Sequence, residues 1–277
     1  MKSYLKLTSF ELSRFFKLYL VLIAITIISQ IIGVIVYSNS YLNEMNKVIY
    51  EEQMPKAEFL EVYGRSSLFN LTQTLWFLGP IALCVVALIF YVFFIWYRDW
   101  FGKNTFIYRL LMLPTARINV FFAKATSIFL MVLGLIALQI VLLFIENMIY
   151  QWMVPNEFRT DMAVSQVIQN FHILDIIIPT TITKLILYYA VGFMAVFVIF
   201  TGILLERSYR WKGIFLGIGY CAIAAAVFVL PIIIQELLQK NYLYLVELII
   251  IEVILGLFVA ACSIWLSSFL LKHRTTV

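Results

Sequence analysis

The sequence predicts an all-α polytopic membrane protein with six transmembrane helices and both termini in the cytoplasm. Three observations carry this. The 277 residues are 64% hydrophobic and only 13% charged, with a mean hydropathy of +0.98, whereas soluble domains carry roughly 25% charged residues. So few charged side chains cannot cover a water-soluble globule of this size, and most of the apolar surface must face lipid. Charge-free intervals occur at residues 18–43, 66–97, 125–145, 185–205, 213–235 and 253–271, each close to or above the ~20 residues a helix needs to cross the hydrocarbon. Lys and Arg, finally, concentrate on alternate connections.

Residues 1–17 come first. At 100° per residue Tyr4, Leu5, Leu12, Phe15 and Phe16 share one arc with Thr8 and Ser9, while Lys2, Lys6, Ser13, Arg14 and Lys17 take the other, with Leu7 and Phe10 as exceptions. The pattern predicts an amphipathic cytoplasmic interface helix. It is either a basic flank that sets topology or an elbow docked on a cytosolic subunit. The apolar run behind it is too long for the ~7–15 residues of a secretory h-region. Residues 18–277 then form the transmembrane domain, with helices predicted at about 18–37, 74–97, 120–145, 182–205, 213–234 and 244–271.

Six crossings put both termini on one side. That side carries Lys2, Lys6, Arg14, Lys17, Arg98, Lys103, Arg109, Arg117, Lys124, Arg207, Arg210, Lys212, Lys272 and Arg274, leaving Lys47, Lys56, Arg65, Arg159, Lys184 and Lys240 opposite. By the positive-inside rule the first side is cytoplasmic. A net charge of +5 therefore reports topology and implies no nucleic acid. The outer loops, about 38–73 and 146–181, carry apolar residues at helical spacing: Leu42, Met45, Val48 and Ile49, then Val164, Val167, Ile168 and Phe171. These predict amphipathic surface helices that cap the bundle or form a substrate-capturing lid.

The most informative connection is cytoplasmic, at 98–117. Asn104 or Thr105 can cap a short helix, Phe106 to Leu113 fill it, and Pro114 stops it. Phe106, Ile107, Leu110, Leu111 and Leu113 beside Arg109 make two turns too apolar to float free in cytosol. They must pack on something.

Along this connection Asp99, Gly102, Thr105, Leu110-Leu-Met-Leu-Pro114, Arg117 and Lys124 follow in order. The chain here resembles the permease subunits of ABC-2 type transporters, which have a similar six-span layout. Between their second and third spans these typically show an acidic residue, a glycine, a Thr-rich start, a run like LLxLP, a basic residue and a Lys. The layout covers nearly the whole chain and the motif about 25 residues.

The resemblance implies that the short helix is a coupling helix seated in an ATPase cleft, with Asp99, Gly102, Thr105, Phe106, Ile107, Arg109, Leu110, Leu111, Leu113 and Arg117 as its residues. It implies a bacterial, multi-pass cell-membrane permease of an ABC exporter, with ATP and Mg bound on separate cytosolic ABC ATPase subunits. Two departures stand out. The family's initial acidic pair is reduced to Asp99, and the long outer loops follow the first and third spans, whereas relatives often elaborate the loop after the fifth. Substrate class is therefore not carried over.

No GxxxxGK[ST] occurs, so this chain is expected to bind no nucleotide and to be no enzyme by itself. Six helices are few for a transport path, which favours pairing with a second copy or a homologous permease chain, across the second and fifth spans. Cys84, Cys221 and Cys262 all fall in apolar stretches and His172 and His273 lie far apart, so no metal site is expected.

Glu252 lies about eight residues into the sixth predicted span and Glu247 five before it. An intramembrane carboxylate is costly enough to suggest a cation or proton site, or else a group paired within the bundle. Glu146 is a weaker instance. Gly213, Gly217 and Cys221 on the fifth span, and Gly256 and Ala260 on the sixth, have the spacing of close helix packing. Two other function classes stay open: an ion-coupled carrier using Glu252, and a non-transporting immunity or sensory subunit acting through the outer loops.

Overall fold

The structure is a computed structural model that describes residues 2–100, 107, 110, 112, 116–237 and 244–274. Its helices are α1 (Lys2–Asn46), α2 (Lys56–Val62), α3 (Leu68–Thr72), α4 (Leu75–Trp100), α5 (Ile118–Met153), α6 (Val164–Asn170), α7 (His172–Ile177), α8 (Ile182–Leu237) and α9 (Leu245–His273). Two two-residue strands, β1 (Ser66–Ser67) and β2 (Arg159–Thr160), join them. Among the described residues five helices, α1, α4, α5, α8 and α9, are long and apolar enough to cross a membrane. The chain is an all-α polytopic membrane protein apart from that one short ladder.

Residues 2–17 do not form a separate element. They are the start of α1, which runs unbroken to Asn46 and ends in a π turn at Lys47–Glu51. No proline occurs before Pro55, so nothing interrupts the hydrogen-bond ladder. α5 likewise continues to Met153 and stops just before Pro155. Both helices thus extend well into the stretches that hydropathy assigns to outer loops.

The 56-residue α8 is two helices in one run, because Arg210 at φ 52°, ψ −128° breaks the helical path. The arms, 182–209 and 211–237, fold back on each other. A Cβ at Gly217 would stand 2.6 Å from the Gly202 carbonyl oxygen, and one at Gly213 2.3 Å from that of Leu205. Val198 and Ala224 pack together with Val259 of α9.

By contact density the chain forms two compact units. One comprises Met1–Arg14, Leu88–Leu130 and Ile186–Val277. Its core is aromatic: Trp96 meets Phe200 edge-on at 5.5 Å, and Phe121 meets Phe200 at 5.6 Å and Phe197 at 5.3 Å. The other comprises Phe15–Ala87 and Met131–Leu185. In it the short helices pack inward, with Met45, Val48, Phe59, Leu68, Leu71, Tyr150, Val154, Phe158 and Val167 in one buried cluster and Phe77, Leu143, Val164, Ile168 and Leu174 in a second. The two outer segments are joined in parallel, Ser66 opposite Arg159 and Ser67 opposite Thr160. Gly64, at φ 71°, ends α2 in the left-handed conformation that suits glycine after a helix C-terminus. The Tyr41 hydroxyl lies 3.1 Å from the Gly64 and Phe158 carbonyls.

Candidate functional site

Five ionisable side chains meet inside the first unit. Glu11 and Arg14 stand one turn apart on α1, Arg98 and Asp99 end α4, and Lys124 lies in the second turn of α5. Glu11 is 2% exposed, and Asp99 and Lys124 are 0% exposed. The Lys124 ammonium donates to Glu11 Oε1 at 2.8 Å, to the Ile95 carbonyl at 3.0 Å and to Asp99 Oδ2. An ammonium has three N–H donors, and all are used. Arg98 donates to Glu11 Oε2 at 2.9 Å, and Arg14 to Asp99 Oδ1 at 2.7 Å.

The arrangement follows from helix electrostatics and desolvation. Asp99 lies at the C-terminal end of α4, where the helix dipole disfavours a carboxylate. Lys124 and Arg14 offset that, while Arg98 in the same turn suits the dipole directly. Charges this deeply buried are tolerated only when each is paired and hydrogen-bonded. Three helices are thereby locked together at one point. Around it Tyr4 donates or accepts with Thr126 at 2.6 Å, and the Ser127 hydroxyl reaches the Ala123 carbonyl at 2.7 Å.

In sequence, the segment 101–117 lies between two members of this cluster, Asp99 and Lys124. Gly102, Thr105, Phe106, Arg109, Leu111 and Leu113 lie outside the described residues. Ile107 is buried, and Leu110, 4% exposed, packs on Leu7, Val120, Ala123 and Tyr4. Those two side chains of the apolar turn thus find their cover within this chain. Met112, by contrast, is 70% exposed. Arg117 donates to the Leu271 carbonyl at 2.8 Å, satisfying an orphan carbonyl in the last turn of α9.

The carboxylates singled out by sequence have unlike surroundings. Glu247 is exposed and accepts the Tyr244 N–H at 2.9 Å, so it caps α9. Glu252 is half-buried and neither of its oxygens has a hydrogen-bond partner. Glu146 is fully buried, again with both oxygens unpartnered. It shares a buried face of α5 with Gln139 and Tyr150, and Gln139 accepts from Gln30 of α1 at 3.1 Å. Gly213 and Gly217 make the close approach within the α8 hairpin, whereas Gly256 meets Phe228 and Met194 at ordinary contact distance. Among the described residues no group of three or more His, Cys, Asp or Glu could hold a metal ion.

Glu11 escaped sequence reasoning. The available signal was its isolation: no other acidic residue precedes Glu44, and a lone acid in a basic flank needs a reason. Lys124 is legible in the sequence only as a motif position, and its pairing is not. No protein-family model, curated protein or solved structure matches the chain.

Proposed function

We propose that the chain is the membrane-spanning permease subunit of an ATP-driven exporter of the ABC-2 kind, working by alternating access with ATP hydrolysed on separate cytosolic subunits. Each arm of α8 rises about 40 Å at 1.5 Å per residue, enough to cross the ~30 Å hydrocarbon core. Counting the arms separately gives six crossings and cytoplasmic termini, with Asp99 and Lys124 at the inner surface. A second permease chain completes the path.

The observation that carries this reading is the ion cluster of Glu11, Arg14, Arg98, Asp99 and Lys124. Asp99 and Lys124 flank the segment that resembles a coupling helix. Locking them to each other and to α1 gives that segment a stiff base, so a push on it is passed to three helices together. The surface left for an ATPase is narrower than the sequence suggests, since Ile107 and Leu110 are covered from within. Met112 is the described apolar side chain that faces out.

Purifying the chain from its native membrane should bring down an ATP-hydrolysing subunit. Met112→Asp should release that subunit while leaving insertion and melting unchanged. Undiminished ATPase in the Met112→Asp preparation, or cargo transport by the isolated chain without ATP, would overturn the proposal.

One observation favours a second reading, an ion-coupled carrier: Glu146 and Glu252 both present carboxylates without a hydrogen-bond partner. Under that reading Glu252→Gln and Glu146→Gln abolish a gradient-driven flux that needs no ATP.

A further inference from the structure

The hinge of α8 forms a pocket of about 300 Å³ lined by Glu206, Arg207, Arg210, Trp211 and Ile214. It joins two antiparallel arms of membrane length, so it sits at a membrane surface. Arg210 occupies it with φ 52°, ψ −128°, a backbone geometry that residues with side chains rarely adopt and that persists only where the surroundings enforce it. A glycine would hold this hinge without strain. The position carries a guanidinium instead.

We infer that this pocket binds the phosphate headgroup of an acidic phospholipid. The charge fits. Glu206 is the one carboxylate among the described lining residues, and it already accepts the Tyr97 hydroxyl. The Arg207 guanidinium stacks 4.7 Å from the Tyr97 ring centre and 5.9 Å from that of Trp100, which fixes its place at the pocket wall. Arg210 and Lys212 are exposed and leave the site net positive. The second arm begins at Trp211, so the positive end of its helix dipole also lies here.

The remaining surface selects a lipid over a free anion. Trp211 is 81% exposed, and Ile214, Phe215 and Ile218 continue from it at helical spacing as an exposed apolar ridge. An acyl chain can lie along that ridge while its phosphate meets Arg210. Tryptophan and arginine side by side at an interface match this division of labour. The inference depends on the chain spanning a membrane and stands apart from the exporter proposal.

Native mass spectrometry of the full chain in mild detergent, with phosphatidylglycerol or phosphatidylcholine added, tests it. The expected result is retention of phosphatidylglycerol about fivefold over phosphatidylcholine, the scale of one surface cation acting on an acidic lipid. Arg210→Gly, whose backbone the hinge accommodates, should keep helicity and melting temperature and lose the preference. Arg210→Lys should keep it. Equal retention of the two lipids by the native chain, an undiminished preference in Arg210→Gly, or displacement of the lipid by millimolar inorganic phosphate would each overturn the inference.

Discussion

The Ser29 hydroxyl donates to the main-chain carbonyl of Trp76 at 3.2 Å, and Pro80 explains why that carbonyl is open. A proline has no N–H, so the carbonyl four residues earlier loses its helical donor. Ser29 on α1 supplies the missing bond to α4, and Gln30 adds one to the Phe77 carbonyl at 3.4 Å. Gly33 completes the contact, because a Cβ there would stand 2.6 Å from that of Trp76. Ser29→Ala should therefore cost about 1 kcal/mol, and clearly less in a Pro80→Ala background where the amide is restored. Thermal melting in detergent of the four variants checks the coupling, and equal losses in both backgrounds would disprove it.

Removing Lys124 should be among the most damaging single changes in the chain. Lys124→Met leaves Glu11 and Asp99 buried side by side with one ammonium gone, which costs about 3–5 kcal/mol. Glu11→Gln with Lys124→Met should lose less than the sum of the two single changes, since the second substitution withdraws a charge that the first has stranded. Melting temperature and membrane yield report this. Strict additivity would mean the cluster is not one unit.

The helices were legible in the sequence because the demand for about 20 apolar residues per crossing leaves a long, one-dimensional trace. Of the short outer helices spacing marked α6, through Val164, Val167 and Ile168, whereas Leu42, Met45, Val48 and Ile49 belong to the end of α1 and its π turn and α2, α3 and α7 carried no such mark. What the sequence hid are relationships between distant positions. Glu11 meets Lys124 across 113 residues, and Gln30 meets Gln139 across 109, separations at which a single chain carries no periodic signal. The ends of α1 and α5 were misplaced because hydropathy falls where lipid ends, while a helix runs on until its backbone path breaks, here at Gln53 with φ 57° after the π turn and just before Pro155. Leu110 reads in the sequence as a residue that a partner covers, because greasiness in a connection does not say which side will cover it.

The α8 hairpin makes two kinds of glycine testable against each other. At Gly213 and Gly217 an added methyl would meet backbone oxygens at 2.3 and 2.6 Å, and backbone cannot move aside as a side chain tip can. Gly213→Ala and Gly217→Ala should each destabilise by about 1–3 kcal/mol. At Gly192 and Gly219 nothing lies within 4 Å of the added atom, so Ala there should be neutral or stabilising by up to about 1 kcal/mol, the helix-propensity difference. Melting curves of the four proteins decide, and a uniform response would mean the arms are not in close contact.

The proposed separate crossing of the two arms of α8, joined at Arg210, predicts a topology that labelling can read. In a background lacking Cys84, Cys221 and Cys262, single cysteines replacing Lys212 and Lys272 should react with an impermeant maleimide from one face of sealed vesicles. Replacements of Lys56 and Glu157 should react from the other face; these two side chains pair at 3.2 Å at the surface of one unit. If α8 crossed once as a straight rod, its 56 residues would extend about 84 Å at 1.5 Å per residue. An even number of crossings by the remaining four membrane-length helices plus that one is then impossible, and Lys272 would label from the face opposite Lys2. Reaction of cysteines at Lys2 and Lys272 from the same face requires that the two arms cross separately. Reaction from opposite faces would remove the hairpin crossing, and with it the inner-surface placement of Asp99, Lys124 and the segment between them.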